Sequence, residues 1–412
     1  MLKFYRKKIS GNIFSSMIAH VRDFVVSFLP ITRLPNSIVK LLYGFQPDYV
    51  FLIHPRRIED ILVGVPYFRI LKKLLPAKLF LKLVAVTPAY VVGKMTSNKG
   101  INGLLVTNAV LPSEMLRRRR KTLQNIKKLT SFIQKISKNN CVVGLGAWWP
   151  IVSRRGIFFK QNLANSDQLC FTNGHCGTLI SIYLAINRIA ELWKSRLENI
   201  DIAIIGSGKM GTAVAKSLLN KVRKITLIDK NKIRLERSYF ILDESNRKTK
   251  IDLCQSKTTK TLYDALSQHR LAVCTTSNIT SILRGLKIPV QMIIIDDSRP
   301  EAFPRTTEVG SNIVLEGGLV KINGINVDYD FGFGKDENVF GCLAEAFVLA
   351  LEGRKELSPT LGDVDFVNFY KTIKYYKENG ITTGDFKSGD VFIRNKDIVK
   401  MNDNREEAIA KR

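Results

Sequence analysis

IIGSGKMGTAVAKSLLNK, residues 204–221, is the stretch on which the fold turns. It follows the nearly continuous apolar run IDIAIIG (200–206), which reads as a strand covered on both faces. Gly206, Gly208 and Gly211 then satisfy G-x-G-x-x-G, and a helix pattern follows at once. Gly206 allows the tight turn, Gly208 lets backbone approach a pyrophosphate, and Gly211 lets helix pack closely on strand. Ser207, Lys209 and Met210 complete the candidate loop, whose free N–H groups would face phosphate oxygens.

Working outward, KITLID (224–229), LAVCTT (271–276), MIIIDD (292–297) and NIVLEGG (312–318) read as further strands with helices or loops between them. Strands alternating with helices predict a Rossmann-type, doubly wound parallel sheet. Asp229 ends the second strand, 18 residues past Gly211. An acid there suits a free ribose hydroxyl, hence NADH, whereas Lys230, Lys232 and Arg234 suit a 2′-phosphate, hence NADPH. Thr276 and Ser277, after the LAVCTT strand, complete the candidate cofactor set.

The remainder of the 412 residues has room for at least one more domain. The expected organisation is a basic amphipathic segment over 1–50 and a mixed α/β substrate domain over 51–195. The dinucleotide-binding domain covers 196–335, and C-terminal helices over 336–412 complete the substrate domain. FLKLVAVTPAYVVG (80–93) reads as buried strand. A helix is expected over Ser113–Ser137, with Leu123, Ile126, Leu129, Ile133 and Ile136 at helical spacing, and another over Thr178–Leu197. The tail from Asn402 is charged and reads as frayed.

Six cysteines, at 141, 170, 176, 254, 274 and 342, show no paired spacing and read as reduced thiols. Cys342 in GCLAEAFVLALEG sits in the first turn of an expected helix, where backbone N–H groups favour a thiolate. It is the candidate nucleophile; Cys254 and Cys274 read as apolar fillers. His175 lies in the glycine-flanked loop CFTNGHCGT (170–178) and is a candidate acid/base or carbonyl-binding group. Cys170, His175 and Cys176 match no common zinc pattern, so no metal is expected.

These pieces occur together in one family. The chain resembles the long-chain acyl-[acyl-carrier-protein] reductases over about His54 to Gly380. LPSEMLRRRRKTLQNIKKL (111–129), GLGAWWPIVSRRG (144–156), FTNGHCGT (171–178), LEGGLVK (315–321) and VFGCLAEAF (339–347) carry the likeness. The resemblance implies a cytoplasmic oxidoreductase that moves a fatty acyl group from a carrier-protein or coenzyme A thioester onto Cys342. It then reduces that group with NADPH or NADH to a fatty aldehyde. The chain departs from the family in its tight G-x-G spacing, in Asp229 at the strand end, and in Gly174 and Cys176, where the family has threonine.

The net charge of +28 is consistent with an acidic partner, an anionic membrane surface or nucleic acid. The resemblance favours acyl carrier protein docking on Arg117–Lys121 and disfavours nucleic acid. A peripheral membrane contact by the first 50 residues competes with a helix packed on the protein body. Two rival readings are a glutamyl-tRNA reductase-like enzyme and an inactive basic binding protein on a Rossmann scaffold. The first places its cysteine near the N-terminus, where this chain has none before Cys141.

Overall fold

The computed structural model describes residues 13–55, 58–65, 67–161, 169–276, 286–298, 301–305, 312–335 and 337–410. They fall into two units: the described parts of 1–177 with 322–381, and those of 178–321 with 382–412. Where the sequence reading draws one C-terminal segment over 336–412, the contacts divide that stretch near residue 381 between the units.

In the first unit, β1 (Tyr49–Leu52), β2 (Tyr90–Ser97), β3 (Gly103–Thr107), β4 (Cys141–Leu145) and β5 (Leu169–Thr172) join the short strand Ile325–Val327 in one mixed sheet. The order is Ile325–Val327, β2, β3, β1, β4, β5. β1 runs parallel to β3 and β4, and β4 to β5, while β2 is antiparallel to both its neighbours. The pleat sends alternate residues to opposite faces. Val50, Leu52, Val143 and Leu145 pack with Ile126, Leu129, Ile133 and Ile136 of the helix Arg119–Ile136. The helix Gly341–Glu352 lies against β1 and β4. A Cβ built on Gly144 would sit 2.7 Å from the Ala346 Cβ, so only glycine lets that helix approach so closely.

Two expectations are corrected here. Residues 80–86 are not strand but part of the helix Ala77–Val86, which Pro76 precedes; Phe80 and Val84, four apart, are buried, while Leu79, Leu81 and Leu83 are exposed. The strand begins at Tyr90, after Pro88. The helix expected over 113–137 is two helices, Pro112–Arg117 and Arg119–Ile136. The break is at Arg118 (φ −123°, ψ 68°), where the Thr122 hydroxyl donates to the Met115 and Arg118 carbonyls at 2.8 and 3.3 Å.

The N-terminal helix Ile13–Phe28 packs on this unit by its polar side. Asp23 is fully buried and accepts from Arg22 Nε, Tyr43 Oη and the Val91 N–H at 2.8, 2.9 and 2.8 Å. His20 is buried with its Nδ1 2.8 Å from Tyr67 Oη. Lys135 donates to the Val26 and Ser27 carbonyls, the cation a helix C-terminus favours. Phe14, Met17, Ile18, Val21, Phe24, Val25 and Phe28 are exposed instead. Burying one side chain of that kind is worth roughly 1.5–3 kcal/mol, so this helix forgoes most of its apolar contribution to the fold.

In the second unit, β6 (Asp201–Ile205), β7 (Lys224–Asp229), β8 (Lys250–Gln255), β9 (Leu271–Cys274), β10 (Met292–Asp296) and β11 (Asn312–Glu316) form a sheet in the order β11, β10, β9, β6, β7, β8. Every pair is parallel. Taken from β6, this is the 3-2-1-4-5-6 order of a Rossmann sheet, and the order reverses between β6 and β9. β8 escapes the sequence reading because it is an edge strand carrying Lys250 and Asp252, with little of it buried. The helix expected from Thr178 starts at His175 and ends at Leu192. The C-terminal helix Asn395–Ala410 continues past Asn402, and its Ile398 carbonyl accepts from Trp193 Nε1 at 3.0 Å. Among the described residues no helix is long and apolar enough to cross a membrane.

Candidate functional site

The candidate cofactor loop belongs to the second unit and Cys342 to the first. In the second unit, β6 delivers the chain to Gly206, whose φ of +95° is left-handed and suits glycine. Its carbonyl accepts from Thr275 Oγ1 at 3.2 Å. A Cβ at Gly206 would stand 3.3 Å from the Thr276 N, so the loop sits against the end of β9, at the topological switch. Gly208 caps the helix Lys209–Leu218, and a Cβ there would meet nothing within 4 Å. That open space beside a helix N-terminus is the room a pyrophosphate needs. A Cβ on Gly211 would lie 1.9 Å from the Gly206 carbonyl oxygen, so this glycine serves packing.

Asp229 braces the loop. Its Oδ2 accepts from the Ser207 N–H and its Oδ1 from the Asn231 N–H, both at 2.9 Å. Each oxygen keeps a lone pair for a ribose hydroxyl. Lys230, Lys232 and Arg234 are exposed beside it, with Lys232 3.5 Å from Glu236. The Ser207 side chain is buried and its Oγ has no hydrogen-bond partner among the described residues. An orphaned hydroxyl next to an open glycine is what a phosphate acceptor would satisfy. Lys209 is exposed and Met210 partly so. Ser277 lies outside the described residues.

In the first unit the structure brings three of the resemblance stretches together around Cys342. β5 ends at Thr172, and Asn173 anchors the loop beyond it. The Asn173 N–H donates to the Thr360 carbonyl at 2.8 Å. Its amide donates to the Arg155 and Gly362 carbonyls at 3.1 and 3.0 Å. Its Oδ1 accepts from the His175 N–H at 2.9 Å. Arg155 pairs with Asp363. Gly174 then turns with φ +73°, and a Cβ there would lie 2.2 Å from the Cys342 Cβ. A Cβ on Gly177 would lie 2.1 Å from the Gly341 carbonyl oxygen. The first turn of the helix Gly341–Glu352 therefore rests directly on loop backbone.

Cys342 is partly exposed in that first turn. The other five thiols are pushed upward by burial: Cys141 and Cys274 to about 12, Cys176 well up, and Cys170 and Cys254 also upward. They stay protonated at neutral pH. The His175 ring is closely surrounded although part of it reaches solvent. Burial, with the nearby Arg155 charge, lowers its pKa to about 4, and a bond to the Gly362 backbone opposes the shift only in part. A neutral imidazole can donate or accept one hydrogen bond but does not carry charge at pH 7.

Two residues escaped the sequence reading. Glu345, three positions after Cys342 and so on the same helix face, is buried. Its Oε2 accepts from the Gly177 N–H at 2.7 Å, its Oε1 from the Thr360 N–H at 3.3 Å, and Thr172 Oγ1 also donates to it. Burial raises its pKa against these bonds. The signal was present in CLAE, a carboxylate at helical spacing from the thiol. Tyr376, on the helix Phe366–Glu378, is almost fully buried, and its hydroxyl has no partner among the described residues. Burial and the fields of Glu345, Cys176 and Cys342 raise its pKa well above the ordinary value, so it remains a neutral donor. No spacing in the sequence links Tyr376 to Cys342.

No family model matches the chain. Among solved structures it is similar to L-tryptophan dehydrogenase from Nostoc punctiforme, at 12% identity and TM-score 0.36, covering 88% of this chain and 89% of that one. It is also similar to shikimate 5-dehydrogenase from Listeria monocytogenes in complex with shikimate and NAD, at 10% identity and TM-score 0.33, covering 81% and 96%. A third is the ligand-free form of 5-ketofructose reductase of Gluconobacter sp. strain CHM43, at 10% identity and TM-score 0.32, covering 80% and 99%. At this level of likeness it is the strand order, rather than any one of these chains, that defines the α/β Rossmann-type fold.

Proposed function

We propose that the chain is an NADPH- or NADH-dependent oxidoreductase that reduces a long-chain acyl thioester to a fatty aldehyde through an acyl group on Cys342. The observation that carries the reading is the seating of Cys342. It is a partly exposed thiol in the first turn of a helix, held against the backbone of Gly174, in a unit that also buries the Tyr376 hydroxyl without a partner among the described residues. That seating suits a cysteine nucleophile, with Tyr376 as the proposed oxygen-binding donor.

The steps follow from these groups. Cys342 Sγ, as thiolate, attacks the acyl carbonyl carbon. The bond to the donor sulfur breaks, and the donor leaves as a thiolate that takes its proton from water. The Gly206–Gly211 loop would hold the dinucleotide, whose chemistry when bound would be hydride donation. The Tyr376 hydroxyl holds the carbonyl oxygen as negative charge grows on it. Neutral His175 orders the loop and can offer a second hydrogen bond. The C–S bond then breaks, the oxygen regains its double bond as aldehyde, and Cys342 keeps the electron pair as thiolate. Glu345 fixes the Gly177 and Thr360 backbone around the first turn and so positions the thiol.

The acyl donor we propose is carrier protein or coenzyme A. Arg117–Arg120 are exposed around the helix break at Arg118, which suits an acidic carrier. The test is oxidation of NADPH or NADH with acyl thioesters, comparing the unaltered chain with Cys342→Ala. Turnover that needs Cys342 and yields aldehyde supports the reading; equal turnover by Cys342→Ala removes it.

A further inference from the structure

The N-terminal helix Ile13–Phe28 is amphipathic in the opposite sense to an ordinary surface helix. Its buried side carries His20, Asp23 and Val26. Phe14, Met17, Ile18, Val21, Phe24, Val25 and Phe28 fall at three- and four-residue spacings and are 39–64% exposed. At 100° per residue these seven occupy an arc of about 120°, opposite the buried one. Phe24 and Phe28 pack on that outer face with ring centroids 4.7 Å apart and planes tilted by 43°. A monomer rarely leaves so continuous a stripe in water without a partner for it.

Two helices that pack beside this one through buried aromatics carry further exposed apolar residues. His20 touches Phe68 at 5.8 Å between ring centroids, and Phe68 touches Phe80 at 6.0 Å. These aromatics belong to the helices Phe68–Leu74 and Ala77–Val86. Their outer sides expose Ile70, Leu74, Leu79, Leu81 and Leu83. Lys72, Lys73, Lys78 and Lys82 are interleaved with them and exposed. No Asp or Glu occurs anywhere from Ile61 to Ser113. Beside Phe28 a cleft of about 330 Å³ is lined by Pro88, Ala89, Lys127 and Lys128 as well.

We propose that this face docks on an anionic lipid surface, with the outer stripe of Ile13–Phe28 lying in the plane of the interface and the lysines meeting headgroup phosphates. Charge decides for lipid over a second copy of the chain. Two such faces would bring lysines against lysines, whereas an anionic bilayer offers both an apolar layer and the complementary charge. The inference is independent of the reaction assigned to Cys342.

The test is flotation of the full chain with phosphatidylcholine vesicles, with and without phosphatidylglycerol. Val21→Glu with Phe24→Glu is compared with Phe240→Glu and Val290→Glu, exposed apolar positions in the other unit. The unaltered chain should float with phosphatidylglycerol vesicles and be released by salt. The Val21/Phe24 pair should lose roughly tenfold or more in partitioning, and the Phe240/Val290 pair little. Lys78→Ser with Lys82→Ser, which leaves the apolar stripe intact, should weaken binding to the charged vesicles alone, and it serves if the glutamate pair fails to fold. A Phe24→Trp chain should be quenched by brominated lipid. Absence of flotation, equal loss in both glutamate pairs, or no quenching would overturn the proposal. So would a lipid-free oligomer that the Val21/Phe24 pair disperses, which would assign the face to a second copy.

Discussion

Gly174 and Cys342 are in direct backbone contact: a methyl group on Gly174 would come within 2.2 Å of the Cys342 Cβ and 2.9 Å of its Cα. The loop that follows β5 and the helix that carries the thiol are thereby fixed to each other without any side chain between them. Gly174→Ala must move one of the two, and it also places a side chain at φ +73°. We expect a stability loss of roughly 1–3 kcal/mol from overpacking and backbone strain. Cys342 acylation should slow by tenfold or more, on the order of what a misplaced reacting group costs, while dinucleotide affinity stays unchanged. Thermal melting, single-turnover acylation and dinucleotide titration read these three separately.

The orphaned hydroxyl of Tyr376 makes an opposite prediction for stability and rate. Leaving a buried hydroxyl unpaired costs about 1–3 kcal/mol, so Tyr376→Phe should melt at the same temperature or higher. If the hydroxyl holds the carbonyl oxygen, the same change should lower kcat roughly 10- to 1,000-fold. A purely structural role would lower melting temperature and rate together.

The glycines of the dinucleotide loop should separate binding from folding. A methyl at Gly208 enters open space, so Gly208→Ala should fold normally and weaken dinucleotide binding. A methyl at Gly211 meets the Gly206 carbonyl at 1.9 Å, so Gly211→Ala should lower the melting temperature even without ligand. Calorimetry of both chains, free and with NADH or NADPH, checks the contrast.

The charge state of His175 bears on stability against pH. Its folded pKa, about 4, lies below its ordinary 6.5. The unfolded chain therefore takes up the proton first as pH falls. The stability contributed by the neutral ring is complete above 6.5 and is lost between 6.5 and about 4. His20 is lowered to about 4 by burial and acts in the same window. His175→Gln should flatten part of the decline in stability over that range and leave the part due to His20. Equilibrium unfolding at a series of pH values measures it.

Much of the second unit was legible in the sequence because β6, β7, β9 and β10 are buried runs and Gly206, Gly208 and Gly211 have one steric role each. β8 was not, since an edge strand shows no apolar run. In the first unit, Cys342 and His175 could be singled out by residue type and setting, and their stretches do come together. Glu345 needed only the recognition that three residues make a helical neighbour. Tyr376 lies 34 positions after Cys342, on another helix, and no local pattern singles it out. The segment 80–86 misled because Leu79, Leu81 and Leu83 alternate like a strand while the backbone, between Pro76 and Pro88, is helical with those leucines outside.

The central claim is that Cys342 carries the acyl group. Intact-protein and peptide mass spectrometry after incubation with an acyl thioester, without dinucleotide, tests it most directly. The account predicts one acyl group, on the peptide containing Cys342, discharged as aldehyde when NADPH or NADH is added. An acyl group on another cysteine, none at all, or one that reduced dinucleotide fails to discharge would contradict it.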